Sequence, residues 1–285
     1  MSQLQDCLFP LPDLSGKVAI VTGASRGIGK AIALRLAQAG CAVTIAAKSE
    51  RSRELLPGSI HDTVEEIEAA GGKALAVRTD LRKEDDVKQM VAATLEKFGR
   101  IDLLVNNAGA LWVQPVRQTP LKRFDLVHKV NARAPFLAAQ LCLEAMVEQG
   151  GGHILNISPP LEVAMMKGKV GYCMSKFGQT LMSFGLADEV KADGVCVASL
   201  WPATIVESQA SINHKMGGPE MWRKPEVVAD AVLAWMAMPL EEGTGKAWLD
   251  EEVLAAQGVT DLAPYNCVEG GQPFRIVGGA KWVTN

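Results

Sequence analysis

A glycine-rich turn between a buried strand and a helix is the feature that most constrains the fold of this chain. Residues 18–22 form a largely apolar run, which is typical of a strand buried on both faces of a sheet. Gly23, Gly27 and Gly29 follow this run, and a helical segment begins within the same turn. Such glycines let the backbone approach a pyrophosphate, while the helix N-terminus offers free N–H groups. The turn therefore predicts a dinucleotide site, and the flanking strand and helix argue against a ligand-free turn.

Short apolar runs alternate with longer amphipathic segments along the rest of the chain. The predicted strands comprise residues 18–22, 42–46, 74–78, 103–105, 153–157, 195–200 and 247–249. The predicted helices comprise residues 27–39, 61–70, 84–98, 121–148, 171–191 and 225–238. This repeated strand–helix order predicts an α/β fold of the Rossmann type: a doubly wound parallel sheet of seven strands with helices on both faces.

One domain over residues 1–285 is the organisation that we expect, because the chain has neither an internal repeat nor a low-complexity linker. Its core would span about residues 16–250, and residues 251–285 would form a C-terminal tail. The tail is expected either to pack on the domain or to reach a neighbouring subunit. Two connections, 48–60 and 202–224, are long for loops and are therefore expected to be functional or mobile.

Composition and charge exclude several classes of protein. The 285 residues carry a net charge of -3 and no basic tract, so neither nucleic acid nor an anionic membrane surface is an expected partner. No apolar run is long enough to span a membrane, and the N-terminus lacks the pattern of a signal peptide. The six cysteines and four histidines are scattered, which predicts reduced thiols in a cytoplasmic protein and no metal site.

The end of the second predicted strand indicates which dinucleotide is bound. An NAD site usually places Asp or Glu there to bind the ribose 2′-hydroxyl. This chain has Lys48 instead, with no carboxylate before Glu50, and Arg26 lies in the glycine turn. Two cations without a carboxylate suit a 2′-phosphate, so we predict NADP(H). The alternative is that Lys48 is an ordinary solvated charge.

Two further segments follow predicted strands at the edge where such sheets bind ligands. Asp80 and Leu81 come after the third strand, where a carboxylate can meet the adenine amino group. Asn107, Ala108 and Gly109 end the fourth strand. The same residues also suit a plain turn, but their position at a strand's carboxyl end favours a binding role.

A tyrosine and a lysine lie four residues apart in a predicted helix, and so on one face of it. A lysine ammonium beside a phenol favours the phenolate, so Lys176 is expected to lower the pKa of Tyr172 and make it an acid and base near neutral pH. This spacing is common by chance on surface helices. Downstream of the glycine turn it predicts a proton-transfer site.

These motifs together resemble the classical short-chain dehydrogenase/reductase family. The matching segments recur in family order over residues 16 to about 250: 22–29, 106–109, Asn131, 156–158, 172–176 and Pro202. Residues 55–60 and 156–161 look more like the hydroxysteroid dehydrogenase-like subgroup.

The resemblance implies a role for each matching residue. Tyr172 would be the acid/base, and Lys176 would lower its pKa and hold the nicotinamide ribose. Asn131 would anchor a water in a proton relay; a capped bend or a solvent-facing side chain is the alternative. The implied cofactor contacts are Gly23, Ser25, Arg26, Gly27, Ile28, Gly29, Lys48, Asp80, Leu81, Asn107, Ala108, Gly109, Tyr172, Lys176, Pro202 and Ile205. Relatives are commonly dimers or tetramers, which implies a homodimer or homotetramer that uses helices 121–148 and 171–191.

The catalytic serine is where this chain departs from the family pattern. The position thirteen residues before Tyr172 holds Pro159, which carries no hydroxyl, and Ser158 lies one residue earlier. A shift of one residue along a strand turns a side chain to the opposite face. Ser158 can therefore serve only if the strand end twists there; otherwise its hydroxyl caps the strand.

The predicted substrate end is mainly apolar. Residues expected around the nicotinamide are Trp112, Met165, Met166, Ile205, Ile212, Met216, Met221 and Trp222. They suit a hydrophobic ketone, aldehyde or secondary alcohol, although they also suit ordinary core packing. Four basic residues are either solvated or available to an anionic group of the substrate: Lys167, Lys169, His214 and Lys215.

Three functions remain open from the sequence. The first is an NADP(H)-dependent oxidoreductase that transfers hydride between nicotinamide and a hydrophobic carbonyl compound or alcohol. The second is a nucleotide-binding sensor or scaffold with weak or lost catalysis, which Pro159 supports and Tyr172 argues against. The third is an isomerase or dehydratase on the same fold, which the fold alone does not exclude.

Overall fold

The computed structural model describes residues 6–54, 56–163 and 166–277. Within them, seven parallel strands form one sheet in the order β3-β2-β1-β4-β5-β6-β7. The strands are β1 Val18–Thr22, β2 Ala42–Ala47, β3 Lys73–Arg78, β4 Leu103–Asn106, β5 Gly152–Ile157, β6 Val195–Trp201 and β7 Ala247–Leu249. The predicted fold class is confirmed, and every predicted strand is present within one residue at either end.

The helices connect these strands and cover the sheet. They are α1 Gly27–Gln38, α2 Ile60–Ala69, α3 Glu84–Phe98, α4 Leu121–His128, α5 Ala134–Glu148, α6 Val170–Glu189, α7 Gln209–Asn213, α8 Glu226–Met236, α9 Leu240–Gly243 and α10 Asp250–Ala256. The long connection 202–224 thus contains a short helix, α7, and the predicted tail begins with α10.

The helix predicted over residues 121–148 is wrong in one respect, because a π-helical segment, Lys129–Arg133, separates α4 from α5. Pro135 has no N–H to donate to the carbonyl of Asn131, four residues earlier, so the α-helical pattern cannot continue there. The N–H of Ala134 instead donates to the carbonyl of Lys129, five residues earlier. Such π segments are frequent at functional sites.

The sheet is buried on both faces, as the alternation of side chains along β1 shows. Ala19 and Val21 belong to a core cluster with α1 and α8, whereas Ile20 belongs to a second cluster with α3 and α5. Successive side chains of a strand point to opposite faces, so a strand covered on both sides is apolar throughout. This double burial holds the carboxyl ends of the strands at one edge, where the site lies.

A buried ion pair joins α1, α8 and the chain beyond α10. Arg35 Nε lies 2.6 Å from Asp230 Oδ1, and both side chains are almost fully buried. The hydroxyl of Tyr265 donates to Asp230 Oδ2 at 2.7 Å. Burial raises the pKa of Asp230 despite the charge of Arg35.

The described part of the tail returns along the connection after β6. Ile276 N donates to Ala203 O at 2.8 Å, and Gln272 N donates to Glu220 O at 2.8 Å. The N–H of Ile205 donates to the carbonyl of Phe274 at 3.2 Å. Up to residue 277, the tail therefore packs on its own chain, beside the loop that was expected to be functional.

None of the described helices combines the length and apolarity needed to cross a membrane. In the same residues, no group of three or more His, Cys, Asp or Glu side chains is arranged to hold a metal ion.

Tyr265→Phe is expected to lower the free energy of unfolding by about 1–3 kcal/mol, because Asp230 would lose a donor in a buried site. Urea unfolding followed by circular dichroism measures this change. Val268→Ala, a half-exposed position in the same tail, is the control and should change stability by less than about 0.5 kcal/mol. Equal stability of Tyr265→Phe and the parent chain would show that this hydrogen bond contributes nothing.

Candidate active site

A cavity of about 850 Å³ opens at the carboxyl ends of the strands. It lies where the strand order reverses between β1 and β4, the position at which doubly wound sheets bind ligands. The predicted site residues that line it are Gly23, Ser25, Arg26, Gly27, Ile28, Gly29, Lys48, Asp80, Leu81, Asn107, Ala108, Gly109, Ser158, Tyr172, Lys176, Pro202 and Ile205. Asn131 lies outside the lining.

Hydrogen bonds from Thr22 hold β1 and β4 together beside the glycine turn. Its hydroxyl accepts from the backbone N–H groups of Asn107 and Ala108, each at 3.1 Å. The side chain of Asn107 in turn donates to Thr22 O at 2.8 Å. A Cβ on Gly29 would clash with Asn107 Nδ2 and would lie 2.5 Å from Gly23 O, so only glycine fits.

The start of α1 is open to the cavity. Arg26 occupies the N-cap position in an extended conformation, and no side chain caps the helix. Gly27 and Gly29, in the first turn, both line the cavity. The first N–H groups of a twelve-residue helix are thus available to an anion, as a pyrophosphate site requires.

The Arg26 side chain is used differently from the prediction. Its Nε donates to Pro57 O at 2.9 Å and its Nη2 donates to Gly58 O at 2.7 Å. These carbonyls face Arg26 because Gly58 adopts a positive φ of 94° in close contact with Ser25. Arg26 therefore holds the loop after β2 with these two nitrogens rather than presenting them to a ligand.

The Asp80 carboxylate also has a partner within the chain, Arg82, which was not predicted as a site residue. Arg82 Nε donates to both carboxylate oxygens, at 2.8 and 3.1 Å, and the Arg82 backbone N–H donates to Oδ1 at 3.1 Å. The hydrogen bonds from Arg82 lower the pKa of Asp80 to about 2, and the charge of Lys48 acts in the same direction. Arg82 lines the cavity, and its place two residues after Asp80 was the available signal.

Tyr172 and Lys176 lie one turn apart on α6, as predicted, but their pKa values do not follow the prediction. Burial lowers the pKa of Lys176 to about 7, and its Nζ donates to Ile157 O at 2.8 Å and to Gln179 Oε1 at 2.9 Å. Burial raises the pKa of Tyr172 above its ordinary value. The expected lowering of the Tyr172 pKa by Lys176 is therefore wrong for this structure, because the ammonium is turned toward the end of β5.

A buried polar network below Lys176 was not predicted. Gln179 Nε2 donates to Asn106 O at 3.3 Å, and Asn106 Nδ2 donates to Asn156 Oδ1 at 3.0 Å. Asn156 Nδ2 donates to Ser183 Oγ at 2.9 Å. The spacing 172, 176, 179 and 183 puts these polar side chains on one face of α6. That polar stripe on an otherwise apolar face was the missed signal.

Ser158 lies just beyond the end of β5, so the alternation of strand faces no longer determines its direction. The hydroxyl of Ser158 donates to the main-chain carbonyl of Lys176 at 3.2 Å. The same cavity is lined by Ser158, Pro159 and Tyr172. Ser158 therefore packs on α6, the helix that carries Tyr172, although Pro159 occupies the expected position.

Asn131 is fully buried in the π-helical segment, which excludes the solvent-facing alternative. Its Oδ1 accepts from Ala110 N at 2.7 Å, and its Nδ2 donates to Ala110 O at 2.8 Å and to Ser175 Oγ at 3.0 Å. A Cβ placed on Gly109 would lie 3.7 Å from Asn131 Oδ1 and 3.8 Å from Lys176 Nζ. Asn131 thus holds the turn after β4 directly behind the lysine.

The substrate end differs in its residues from the prediction. Of the predicted apolar set, Ile205 and Met216 line the cavity. Trp112, Met166, Ile212, Met221 and Trp222 do not, and Met165 lies outside the described residues. The basic residues Lys167, Lys169, His214 and Lys215 are also absent from the lining. Lining residues that the sequence reasoning missed include Leu111, Arg123, Leu126, Val130 and Ile276.

Helix α4 and the π-helical segment that continues it supply three of these missed residues. Arg123, Leu126 and Val130 follow the i, i+3, i+7 spacing of one helix face. Ile276 could not have been assigned to the cavity from local sequence, because the tail reaches it only through long-range backbone pairing.

Gly29→Ala should lower the free energy of unfolding by about 1–3 kcal/mol, because the new methyl group would force apart the glycine turn and Asn107. Chemical unfolding of the ligand-free chain provides the measurement. Gly185→Ala in α6 is the matched control, since its Cβ would meet no atom within 4 Å; added helix propensity should leave it neutral or slightly more stable. Equal stability of the two variants would contradict the packing argument.

Comparison with known proteins identifies the family to which this arrangement belongs. The family model for short chain dehydrogenases matches residues 17–216. Zebrafish hydroxysteroid dehydrogenase-like protein 2 is 41% identical over 266 residues, which cover 92% of this chain and 63% of the relative. The human protein of the same name is 38% identical over 267 residues, with the same coverage of 92% and 63%. The chain thus spans less than two thirds of these curated relatives.

Solved structures agree with the sequence matches. A short chain dehydrogenase from Mycobacterium thermoresistibile superimposes with a TM-score of 0.84 at 41% identity, covering 92% of this chain and 94% of that one. A metagenomic short-chain oxidoreductase in complex with NADP gives a TM-score of 0.70 at 31% identity, covering 83% and 97%. The predicted family and its hydroxysteroid dehydrogenase-like subgroup are confirmed, and the chain belongs to the short-chain dehydrogenase/reductase family.

Proposed function

We propose that the protein is an NADP(H)-dependent oxidoreductase that transfers hydride between nicotinamide and a hydrophobic ketone, aldehyde or secondary alcohol. One observation carries this proposal: Tyr172, Lys176 and Ser158 line the same cavity as the glycine turn and the open start of α1. A proton-transfer group and a dinucleotide cradle in one cavity are the two parts that such a reaction needs.

The residues around the glycine turn fit a dinucleotide. A Cβ on Gly23 would lie 2.9 Å from Ala108 Cα, and a Cβ on Gly29 would lie 2.5 Å from Gly23 O. Glycine is therefore required at both positions, and without side chains there the backbone of the turn stays accessible to a pyrophosphate. When bound, the nicotinamide would supply the hydride chemistry. We propose the contacts predicted from the sequence, except that Arg26 acts by holding the loop after β2 and Asp80 acts together with Arg82.

The choice of NADP(H) rests on the charges at the ends of β2 and β3. Exposed Lys48 follows β2, Arg82 follows β3, and both line the cavity. Asp80 supplies a carboxylate to the lining, but this carboxylate is already paired with Arg82. A 2′-phosphate would meet cations here, whereas a 2′-hydroxyl would find no free carboxylate in the lining. A related enzyme crystallised with NADP is consistent with this choice.

In the proposed reaction, Tyr172 exchanges a proton with the substrate oxygen and Ser158 orients that oxygen. Lys176, whose burial lowers its pKa to about 7, can exchange a proton near neutral pH and can return one to Tyr172. The side chain of Asn131 is hydrogen-bonded to Ala110 and Ser175, so its part in a relay would fall to its main-chain carbonyl. Pro135 leaves that carbonyl without its usual α-helical donor.

A nucleotide-binding sensor is the second candidate, because Pro159 stands where the family pattern has its serine and the Lys176 ammonium donates to Ile157 O. A sensor of this kind would bind NADPH without turnover. Turnover on any carbonyl compound that depends on Tyr172 would exclude it.

Tyr172→Phe is expected to reduce kcat/KM by about a hundredfold to ten-thousandfold, because the phenol is the proposed proton donor. Oxidation of NADPH with a panel of hydrophobic aldehydes and ketones measures the loss, and NADPH binding should be retained. Tyr265→Phe, the same substitution at the other tyrosine of the chain, is the control and should keep its kcat/KM. An active Tyr172→Phe variant would rule out the proposed acid/base.

Lys48→Ala should weaken NADPH binding by about tenfold or more and leave NADH binding nearly unchanged, because a hydrogen bond to a charged group contributes about 1.5–3 kcal/mol. Fluorescence titration with both dinucleotides gives the two dissociation constants. Lys73→Ala, at the opposite end of β3 from the cavity, provides the control. Equal losses for NADPH and NADH at Lys48→Ala would remove the basis for the NADP(H) assignment.

We further propose a cytoplasmic homodimer or homotetramer that folds as one domain together with its tail. Exposed apolar side chains on α4 to α6 support association through these helices: Leu121, Phe136, Met174 and Leu181. The cysteines of the described residues are all unpaired, which suits a reducing compartment.

A further inference from the structure

Arg123 is an exposed cation that lines the substrate end of the cavity. It projects from α4 on the same face as Leu126 and Val130, and all three line the cavity with Tyr172. The next residue, Phe124, packs on Gly171, where an added Cβ would lie 3.3 Å from the phenyl ring. Gly171 directly precedes Tyr172, so α4, which carries Arg123, packs against the start of α6 beside the proposed acid/base.

The Arg123 guanidinium is held in place without being neutralised. It lies over the indole of Trp112, with its carbon 4.7 Å from the ring centroid. Among the described residues, no carboxylate lies within ion-pair distance of Arg123, in contrast to Arg82 and Asp80. Stacking on an aromatic ring fixes the guanidinium plane and leaves the N–H groups at its edge free to bind an anion.

A second donor next to Arg123 also has no partner. Trp112 Nε1 is buried and makes no hydrogen bond to any described residue. Because Trp112 lies outside the cavity lining, its ring supports Arg123 and its N–H is not a second contact to a bound group. Of these two side chains, only Arg123 therefore offers its donors to the cavity.

The phosphates of the cofactor do not account for Arg123. The cations proposed to bind the 2′-phosphate follow β2 and β3, whereas Arg123 lies in the connection after β4. In the sheet, β3 and β4 are three positions apart, which corresponds to about 14 Å. The glycine turn and α1, which would hold the pyrophosphate, follow β1, and β1 lies between β3 and β4 in the sheet.

We propose that Arg123 binds a carboxylate of the substrate, and that the substrate is an amphipathic keto or hydroxy acid. Its apolar chain would lie along Leu126 and Val130, and its reacting oxygen would lie at Tyr172. A carboxylate fits better than a phosphate, because Arg123 supplies one positive charge and the Lys176 ammonium already donates to Ile157 and Gln179. This inference rests on the proposed function, since it names the substrate class of the same site.

Paired substrates test the inference through turnover. A medium-chain keto acid and its methyl ester differ in charge while presenting the same carbonyl group. The parent chain should favour the acid by about tenfold or more in kcat/KM, and Arg123→Gln should abolish this preference mainly through the KM of the acid. Arg123→Lys should restore part of it. Arg117→Gln, an exposed arginine outside the cavity lining, is the matched control and should leave the preference unchanged.

Binding without turnover separates this inference from the proposed function. Decanoate and decanol are titrated calorimetrically into the chain in the presence of NADPH, which cannot oxidise decanol. Decanoate should bind about tenfold or more tightly than decanol to the parent chain, and Arg123→Gln should remove this difference.

The anion site and the oxidoreductase activity predict different combinations of binding and turnover. Arg123-dependent binding of decanoate without turnover of any carbonyl compound would support the anion site and reject the oxidoreductase. Turnover of acid and ester with equal kcat/KM would support the oxidoreductase and overturn the anion site. Equal binding of decanoate to the parent chain and to Arg123→Gln, or no binding at all, would also overturn it.

Discussion

The hydrogen bonds of Thr22 to the turn after β4 are the constraint on which the site depends. Strands β1 and β4 are neighbours in the sheet, but the chain leaves them in opposite directions, which opens the cavity between their connections. Thr22 bonds to Asn107 and Ala108 on the far side of that opening, and Gly29 allows α1 to approach the same turn. Gly109, in the same turn, lies against both Lys176 and Asn131. One local contact thus positions the glycine turn relative to Lys176 and to the helix that carries Tyr172.

The buried network around Lys176 explains how the polar face of α6 is held. Ile157 and Gln179 accept from its ammonium, and Gln179 continues the chain of hydrogen bonds to Asn106 and Asn156 at the ends of β4 and β5. Buried polar groups of this kind are stabilising only when their partners are present. Burial without a paired carboxylate lowers the pKa of Lys176 to about 7, so its charge responds to small changes in its surroundings. The lysine is therefore suited to proton exchange as well as to positioning.

The features that could be predicted are those that depend on residues close to each other in the sequence. The strands, the glycine turn and the helix that carries Tyr172 and Lys176 follow from apolar runs and short spacings. The direction of the Lys176 ammonium and the use of Arg26 by the loop after β2 could not be predicted, because their partners lie 19 and about 30 residues away in sequence. The break at Lys129–Arg133 was missed although its cause, Pro135, is visible in the sequence. Ile276 reaches the cavity through pairing with the loop after β6, which no periodicity reveals.

Cations that follow β2 and β3 and a cation on α4 line different parts of the cavity. Lys48 and Arg82 lie at the end formed by β2 and β3, and Arg123 lies on α4 near Tyr172. Apolar side chains of α4, of the π-helical segment and of the loop after β6 line the same cavity as Tyr172, including Leu126, Val130 and Ile205. An anion in a mainly apolar cavity is stable only where a cation or several donors meet it. A dinucleotide phosphate and a substrate carboxylate would therefore bind at opposite ends, which brings the apolar part of the substrate, with its reacting carbon, beside Tyr172.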